Sequence, residues 1–207
     1  MKKLSVALLG ATTLLAAAST FAAPIQLVKN GGFESDIVGN SNWIQGNTLS
    51  GWTVGANGVE IRNDVAGKAF GGNNFVELDT YGNSSISQNL ATTAGGKYTL
   101  SFYYSPREFT SSSTNGIEVL WNGVSKGIFS ANGGSNGNLW QQYSFNVTGF
   151  GPSTALEFRA VGASDSFGGG LDNVSVTSAV PEPGSMALMG LGLGLLGFCA
   201  RRKRPTA

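Results

Sequence analysis

The chain has no histidine, and only one cysteine, Cys199, among its 207 residues. Without histidine there is no Ser-His-Asp or Cys-His catalytic pairing, and the commonest ligand of zinc and iron sites is missing. One cysteine cannot close a disulfide within the chain, so the fold must rest on its core or on a bound ion. Cys199 reads as a passive apolar residue near the end of the chain, or as an acylation site there. Proline is scarce, and charged residues make up only 12% of the chain. No segment between residues 24 and 179 keeps a helix-period apolar pattern for more than two turns, and no repeat of fixed length occurs. The charge that is present divides by region. Six of the thirteen basic residues lie at the two ends, leaving seven basic against eleven acidic residues in 23–178. A body with that acidic balance has no electrostatic footprint for nucleic acid.

The two ends read as targeting segments. Lys2-Lys3 precedes an apolar and small-residue stretch from Leu4 to Ala18, and Thr20-Phe21-Ala22 fits the small-x-small cleavage rule. This pattern predicts a signal peptide over residues 1–22, with the mature chain starting at Ala23. The other end runs Val180-Pro181-Glu182-Pro183, then an apolar span over 185–200, then Arg201-Arg202-Lys203-Arg204. The two prolines fix φ and keep the motif extended. As a helix the apolar run covers roughly 24 Å, short of a ~30 Å hydrocarbon core but within reach of snorkelling by the basic residues. The four cations hold that end on the cytoplasmic side. A buried core helix with a basic cap is the alternative, and it gives no reason for four consecutive cations. Residues 179–207 resemble the PEP-CTERM sorting signal of Gram-negative bacteria in all three parts. The resemblance implies recognition and cleavage near 180–183 by an exosortase, a membrane transpeptidase. It also implies a transient membrane anchor through 185–200, then release to the cell surface or the extracellular matrix.

Between the ends the residues alternate. Tyr98, Leu100, Phe102 and Tyr104 share one face of a strand, with Thr99, Ser101 and Tyr103 on the other. The triplets Ile117/Val119/Trp121, Tyr143/Phe145/Val147 and Leu156/Phe158/Ala160 alternate in the same way. Weaker strand patterns lie at 26–29, 52–54, 59–61, 74–78 and 85–90, and 171–177 closes the domain. Asn122-Gly123 marks a tight hairpin into Val124–Phe129. The Ser/Asn/Gly-rich stretches 109–115 and 130–139 have little to bury and read as mobile loops. Nine or ten one-faced strands predict an all-β, antiparallel, two-sheet sandwich over residues 23–178.

The body carries, in this order, Leu27-Val28-Lys29-Asn30-Gly31-Gly32-Phe33-Glu34, Gly51-Trp52, Phe75-Val76-Glu77-Leu78-Asp79 and Gly170-Leu171-Asp172-Asn173-Val174. This order of short motifs is similar to that of the galactose-binding-like jelly rolls, which include carbohydrate-binding modules and the DUF642-type cell-wall proteins. The resemblance implies a structural Ca²⁺ where the first and last strands meet, held by Glu34 and Asp172 with Asn30 or Gly32 supplying a carbonyl. Asp172 shares parity with Val174 and Val176, which points it inward, where a carboxylate needs a partner. The alternative is that Asp172 caps a turn in water.

For sugar binding the aromatic candidates are Trp43, in a polar loop, Tyr103, on the face opposite the core set, and Trp140, together with Tyr81, Phe109 and Phe167. Arg107 and Glu108 add polar partners. Each of these rings has an alternative as a half-buried edge aromatic. Glu77 and Asp79 share parity and read as a solvent-facing pair, so no two carboxylates are placed across a cleft as glycoside hydrolysis requires. The expected protein is an exported, non-catalytic binder of extracellular polysaccharide. A self-associating matrix protein is the alternative, and a carbohydrate-active hydrolase a third reading.

Overall fold

The computed structural model describes residues 23–178, together with 190, 192 and 193. The expectations for the signal peptide and for the sorting tail, including Val180–Pro183, Arg201–Arg204 and the span 185–200, therefore lie outside the described residues. No helix among the described residues is long and apolar enough to cross a membrane.

Eleven strands form among the described residues. They are β1 (Asn42–Gly46), β2 (Thr53–Val54), β3 (Val59–Asn63), β4 (Asn74–Glu77), β5 (Ser85–Ala91), β6 (Lys97–Ser105), β7 (Gly116–Trp121), β8 (Val124–Phe129), β9 (Gln141–Thr148), β10 (Ser153–Val161) and β11 (Gly170–Ser178). Six make one sheet in the order β1-β3-β4-β11-β6-β9, and five make the other in the order β2-β5-β10-β7-β8. Every pairing is antiparallel. This is the two-sheet sandwich that the alternation predicts.

The alternating apolar residues meet between the sheets. Phe102 and Phe158, one from each sheet, pack edge to face at 5.2 Å, and both are fully buried. Trp121 and Trp52 are core residues, as expected. The indole of Trp121 donates to the Thr148 carbonyl (2.8 Å), so its one polar atom is satisfied. Asn122 and Gly123 both adopt positive φ, 51° and 77°, as a two-residue primed turn requires.

Three expectations need correction. Trp43 lies in β1, in register with Arg62 of β3, and not in a loop. Gln26–Lys29 is not a strand. It contributes an isolated bridge, Gln26 to Thr177, and a Leu27 N–H to Val176 carbonyl bond of 2.8 Å, and so only brushes β11. The stretches 109–115 and 130–139 are tied to each other. Phe109 N–H donates to the Gly134 carbonyl, Gly133 N–H to that of Thr110, and the Asn115 amide to both Thr110 and Ala131. Asparagine and serine side chains supply here the order that apolar burial does not.

One irregularity moves a key side chain. Between Asp172 and Ser175 the register of β11 against β6 shifts at a bulge, with Asn173 at φ 51°. Val174 and Val176 face the core. Asp172, opposite Tyr103, faces out from the six-stranded sheet. It is nonetheless fully buried, because residues 64–73 lie over that face.

Candidate functional site

The outer face of the six-stranded sheet carries an alternating set of charged and aromatic side chains. Pairing aligns Trp43 with Arg62 and Phe75, and Glu60 with Glu77 and Gly170. The solvent-facing reading of Glu77 and Asp79 fails, since the two carboxylates are 1% and 0% exposed. Alternation places Glu77 correctly on the face away from the core. What alternation cannot show is that three connecting segments fold over that face and its end.

Glu77 gathers one of those segments. Arg107 Nη1 donates to both of its oxygens (3.0 and 3.1 Å), and Gly168 N–H donates to Oε1 at 2.7 Å. Arg62 Nε sits 3.0 Å from Oε2 as a charge contact rather than an aligned hydrogen bond, and Arg62 Nη2 pairs with Glu60. Glu60, Arg62, Glu77 and Arg107 thus form one buried charge network with balanced signs. Burial pushes Glu77 up to about 7, against the pull of the two guanidiniums.

Asp79 gathers the next segment. It accepts from Ser164 Oγ (2.6 Å), Asp165 N–H (2.9 Å) and Ser166 N–H (3.1 Å), and so fixes the connection between β10 and β11. The glycines that follow let this chain pass close by. A Cβ on Gly169 would come within 2.5 Å of the Asn115 carbonyl and of the Tyr104 ring.

Arg107 and Asp165, held by these two anchors, help to line a cleft of ≈ 410 Å³, with Ala66, Glu108, Phe109 and Phe167 among others. Phe109 is 77% exposed and Phe167 46%. The Arg107 guanidinium carbon lies 4.5 Å from the Phe167 ring centroid, over one face of that ring. Glu108 accepts from Gly137 N–H and Asp165 from Phe167 N–H, so both carboxylates are positioned. Ala66, Phe109 and Ser166 adopt positive φ of 58°, 61° and 65°. Backbone strain of this kind in side-chain-bearing residues collects at ligand sites.

Of the sugar-binding candidates, the fold brings Arg107 to this cleft, along with the aromatics Phe109 and Phe167. Tyr103 stacks under Phe70, with ring centroids 3.4 Å apart. Trp140 packs edge-on against Phe75 at 5.6 Å and donates its indole N–H to the Lys68 carbonyl. Both rings hold residues 64–73 against the sheet. Trp43 lies 5.5 Å beneath the Arg62 guanidinium. Asp165 is a site residue that the sequence reading does not single out. The polar run Ser164-Asp165-Ser166 ahead of three glycines is the signal that could have found it.

The four calcium candidates separate. Glu34 Oε1 accepts from Asn73 and Asn74 N–H, both at 2.8 Å, and Asp172 Oδ2 accepts from Phe70 and Gly71 N–H. The two carboxylates therefore grip opposite ends of one short segment. Burial raises Asp172 to about 6, and the Glu34 charge adds to the rise. Among the described residues neither carboxylate is paired with a cationic side chain, so excess negative charge collects here. Gly32 is adjacent, within 4.0 Å of Glu34 by its Cβ position. The Asn30 carbonyl already accepts from the Trp52 indole N–H (3.1 Å) and from Phe33 N–H, and its side chain bonds Asp36, Ser35 and Ser50. No group of three or more histidine, cysteine, aspartate or glutamate residues converges among the described residues.

The family model for a protein of unknown function, DUF642, matches residues 26–177, most of the chain. The chain belongs to the DUF642 family. Behind this DUF642 domain, residues 179–204 match the PEP-CTERM protein-sorting motif, which implies export and exosortase processing at the membrane of a Gram-negative bacterium. The domain is also 36% identical over 159 residues to the multifunctional-autoprocessing repeats-in-toxin of Vibrio cholerae serotype O1, covering 73% of this chain. It is 35% identical over 150 residues to the corresponding Vibrio vulnificus toxin, covering 69% of this chain. The chain spans about 3% of the length of either toxin.

Among solved structures, a Stig cyclase from Fischerella sp. TAU superimposes with TM-score 0.57 at 15% identity, covering 77% of this chain and 100% of that one. TmCBM61, solved with β-1,4-galactotriose, superimposes with TM-score 0.51 at 18% identity, covering 75% and 99%. At those identities the likeness establishes the jelly-roll fold of this DUF642 domain.

Proposed function

We propose that this is an exported, sorted, non-catalytic protein that binds extracellular polysaccharide at the surface or in the matrix, through the cleft between Phe109 and Phe167. The observation that carries the reading is the pairing of two exposed rings with fixed Arg107, Glu108 and Asp165 in one strained cleft. Rings supply stacking faces for pyranose C–H surfaces, and the charged groups supply directed bonds to hydroxyls. The solved galactotriose complex of a similarly folded module supports the ligand class.

Affinity electrophoresis of the exported protein through a panel of polysaccharides tests it. Phe167→Ala and Phe109→Ala should each weaken retardation about tenfold, a loss of about 1.4 kcal/mol per ring. Unchanged mobility for both variants rules the cleft out. Hydrolysis is a second reading, and one observation favours it: Glu108 and Asp165 both line the cleft. Turnover of a polysaccharide that disappears in Glu108→Gln would establish it.

For calcium, Glu34 and Asp172 fit as oxygen donors, with main-chain carbonyls needed to complete the set and Asn30 outside it. An ion held there would neutralise the charge that the two carboxylates accumulate. Chelator should then lower the melting temperature by several degrees, and Asp172→Asn should abolish the difference. Identical melting with and without chelator removes calcium from the reading.

A further inference from the structure

A second, uncharged groove lies at the edge of the six-stranded sheet. Tyr81 stands at the tip of a tight turn closed by the isolated Asp79–Asn83 bridge, and it is 88% exposed. Beside it is a depression of ≈ 300 Å³ lined by Gln45, Asn47, Asn57 and Tyr81, in the lower range for small-ligand sites. Among the described residues no carboxylate, guanidinium or ammonium group lines it.

The walls are fixed before any ligand arrives. Asn57 Nδ2 donates to the Asn83 carbonyl at 2.9 Å, and Thr80 Oγ1 donates to the Asn57 carbonyl. Gly58 adopts φ +86° and donates its N–H to Gly55, and a Cβ there would press to 2.9 Å from the Gly46 carbonyl. Gln45 is held in register by β1 pairing with β3.

Past Ala56 and Asn57 the depression continues into a shallower one of ≈ 220 Å³, lined by Asn83, Ser84, Glu157 and Arg159 among others, so charge appears only in this extension and not beside Tyr81. Asn83 Oδ1 and Ser84 Oγ are buried there without a hydrogen-bond partner among the described residues. Ser84 is only 7% exposed. Gly55 packs closely over this hydroxyl, and a Cβ at 55 would sit 3.0 Å from Ser84 Oγ. Buried polar atoms left unpaired are costly, and a ligand hydroxyl that reached them would satisfy them.

The geometry points to a second carbohydrate site, which takes uncharged pyranose units stacked on Tyr81. Gln45, Asn47 and Asn57 hold their hydroxyls, and the bound sugar chain extends toward Ser84. Side-chain amides suit this class because each offers both a donor and an acceptor to a vicinal diol. The cleft at Phe167, by contrast, presents Arg107, Glu108 and Asp165. The inference rests on the polysaccharide-binding reading and adds a consequence to it. One domain with two sites can bridge two polysaccharide strands, or bind one strand with avidity.

The test uses the exported protein with soluble galactan, glucan and mannan as uncharged probes, read by affinity electrophoresis and by agglutination of beads coated with the same polymers. Tyr81→Ala should weaken retardation by at least about tenfold for one of these polymers and abolish agglutination. Since the ring is exposed, the variant should melt as wild type. Phe167→Ala should leave the Tyr81-dependent component in place. Wild-type retardation and agglutination by Tyr81→Ala overturns the second site while leaving the first reading intact. Loss in Tyr81→Ala with no effect of Phe167→Ala or Phe109→Ala supports this site and overturns the cleft. If wild type ignores all three uncharged polymers, the second site is overturned, and binding of charged polymers alone would then keep the cleft.

Discussion

Replacing Asp79 with alanine should destabilise the domain by about 2–3 kcal/mol and weaken binding at the Phe167 cleft together with stability. The side chain is fully buried and accepts three hydrogen bonds, from Ser164 Oγ and from the N–H groups of Asp165 and Ser166. Truncation leaves a void and removes the acceptor that two main-chain donors face. Residues 164–166 are themselves exposed, so water reaches those donors when the segment loosens. That access keeps the cost below what three fully buried orphans would impose. Asparagine in place of the aspartate keeps the volume and one acceptor oxygen, so Asp79→Asn should fall between wild type and Asp79→Ala. For a domain of this size the alanine variant should melt roughly 4–12 °C lower. Thermal unfolding and polysaccharide retardation measured on the same samples would check the order. A melting point within about 1 °C of wild type for Asp79→Ala would remove Asp79 as the anchor.

Asp79 also shows where sequence reading stops. Alternation gives the face of a side chain relative to the core, and by that rule Glu77 belongs outside. The rule carries no information about whether a connection covers that face. Phe75 shares Glu77's face and is 2% exposed, because Trp140 lies against it. An aromatic, an arginine and two glutamates on one outer face of adjoining strands are the readable signs of a covered surface. Asp172 makes the opposite point. It is buried, as expected, but for another reason. Parity with Val174 points it inward, and the bulge at Asn173 sends it to the other face under residues 64–73. Bulges add a residue without marking the hydrophobic pattern, so parity counted across one fails.

The core strands are legible because period-two apolar residues are the direct record of a half-buried sheet. β6 and β10 read cleanly, since Leu100, Phe102, Tyr104, Leu156 and Phe158 are all buried. β1 escapes the pattern because its apolar residues Trp43 and Ile44 are adjacent rather than alternate, and both are 43% exposed on an edge strand. The site is half legible. Phe109, Phe167 and Arg107 stand out as aromatic or charged residues in polar loops. Their assembly depends on contacts such as Arg107 to Glu77, 30 residues apart, which no local pattern encodes.

The paired glycines at 31 and 32 should behave very differently when each is changed to alanine. Gly31 lies directly against β11, where Val174 N–H donates to its carbonyl at 2.8 Å. A Cβ at position 31 would overlap the Val174 carbonyl oxygen and stand 3.0 Å from its carbon. Both are main-chain atoms in a sheet, so neither can swing aside as a flexible side chain would. The first segment would have to separate from β11 beside the bulge that carries Asp172. Gly31→Ala should therefore cost about 3 kcal/mol or more and reduce the yield of folded protein. Gly32 meets only Asn173 Oδ1 at 3.7 Å and Glu34 Cγ at 4.0 Å, which are ordinary contacts, and its φ is not positive. Gly32→Ala should change stability by less than about 1 kcal/mol. Urea unfolding of the two variants side by side decides the matter. Equal midpoints would mean that the close approach of residue 31 to β11 does not hold in solution, and with it would go the placement of Glu34 and Asp172 at the two ends of residues 70–74.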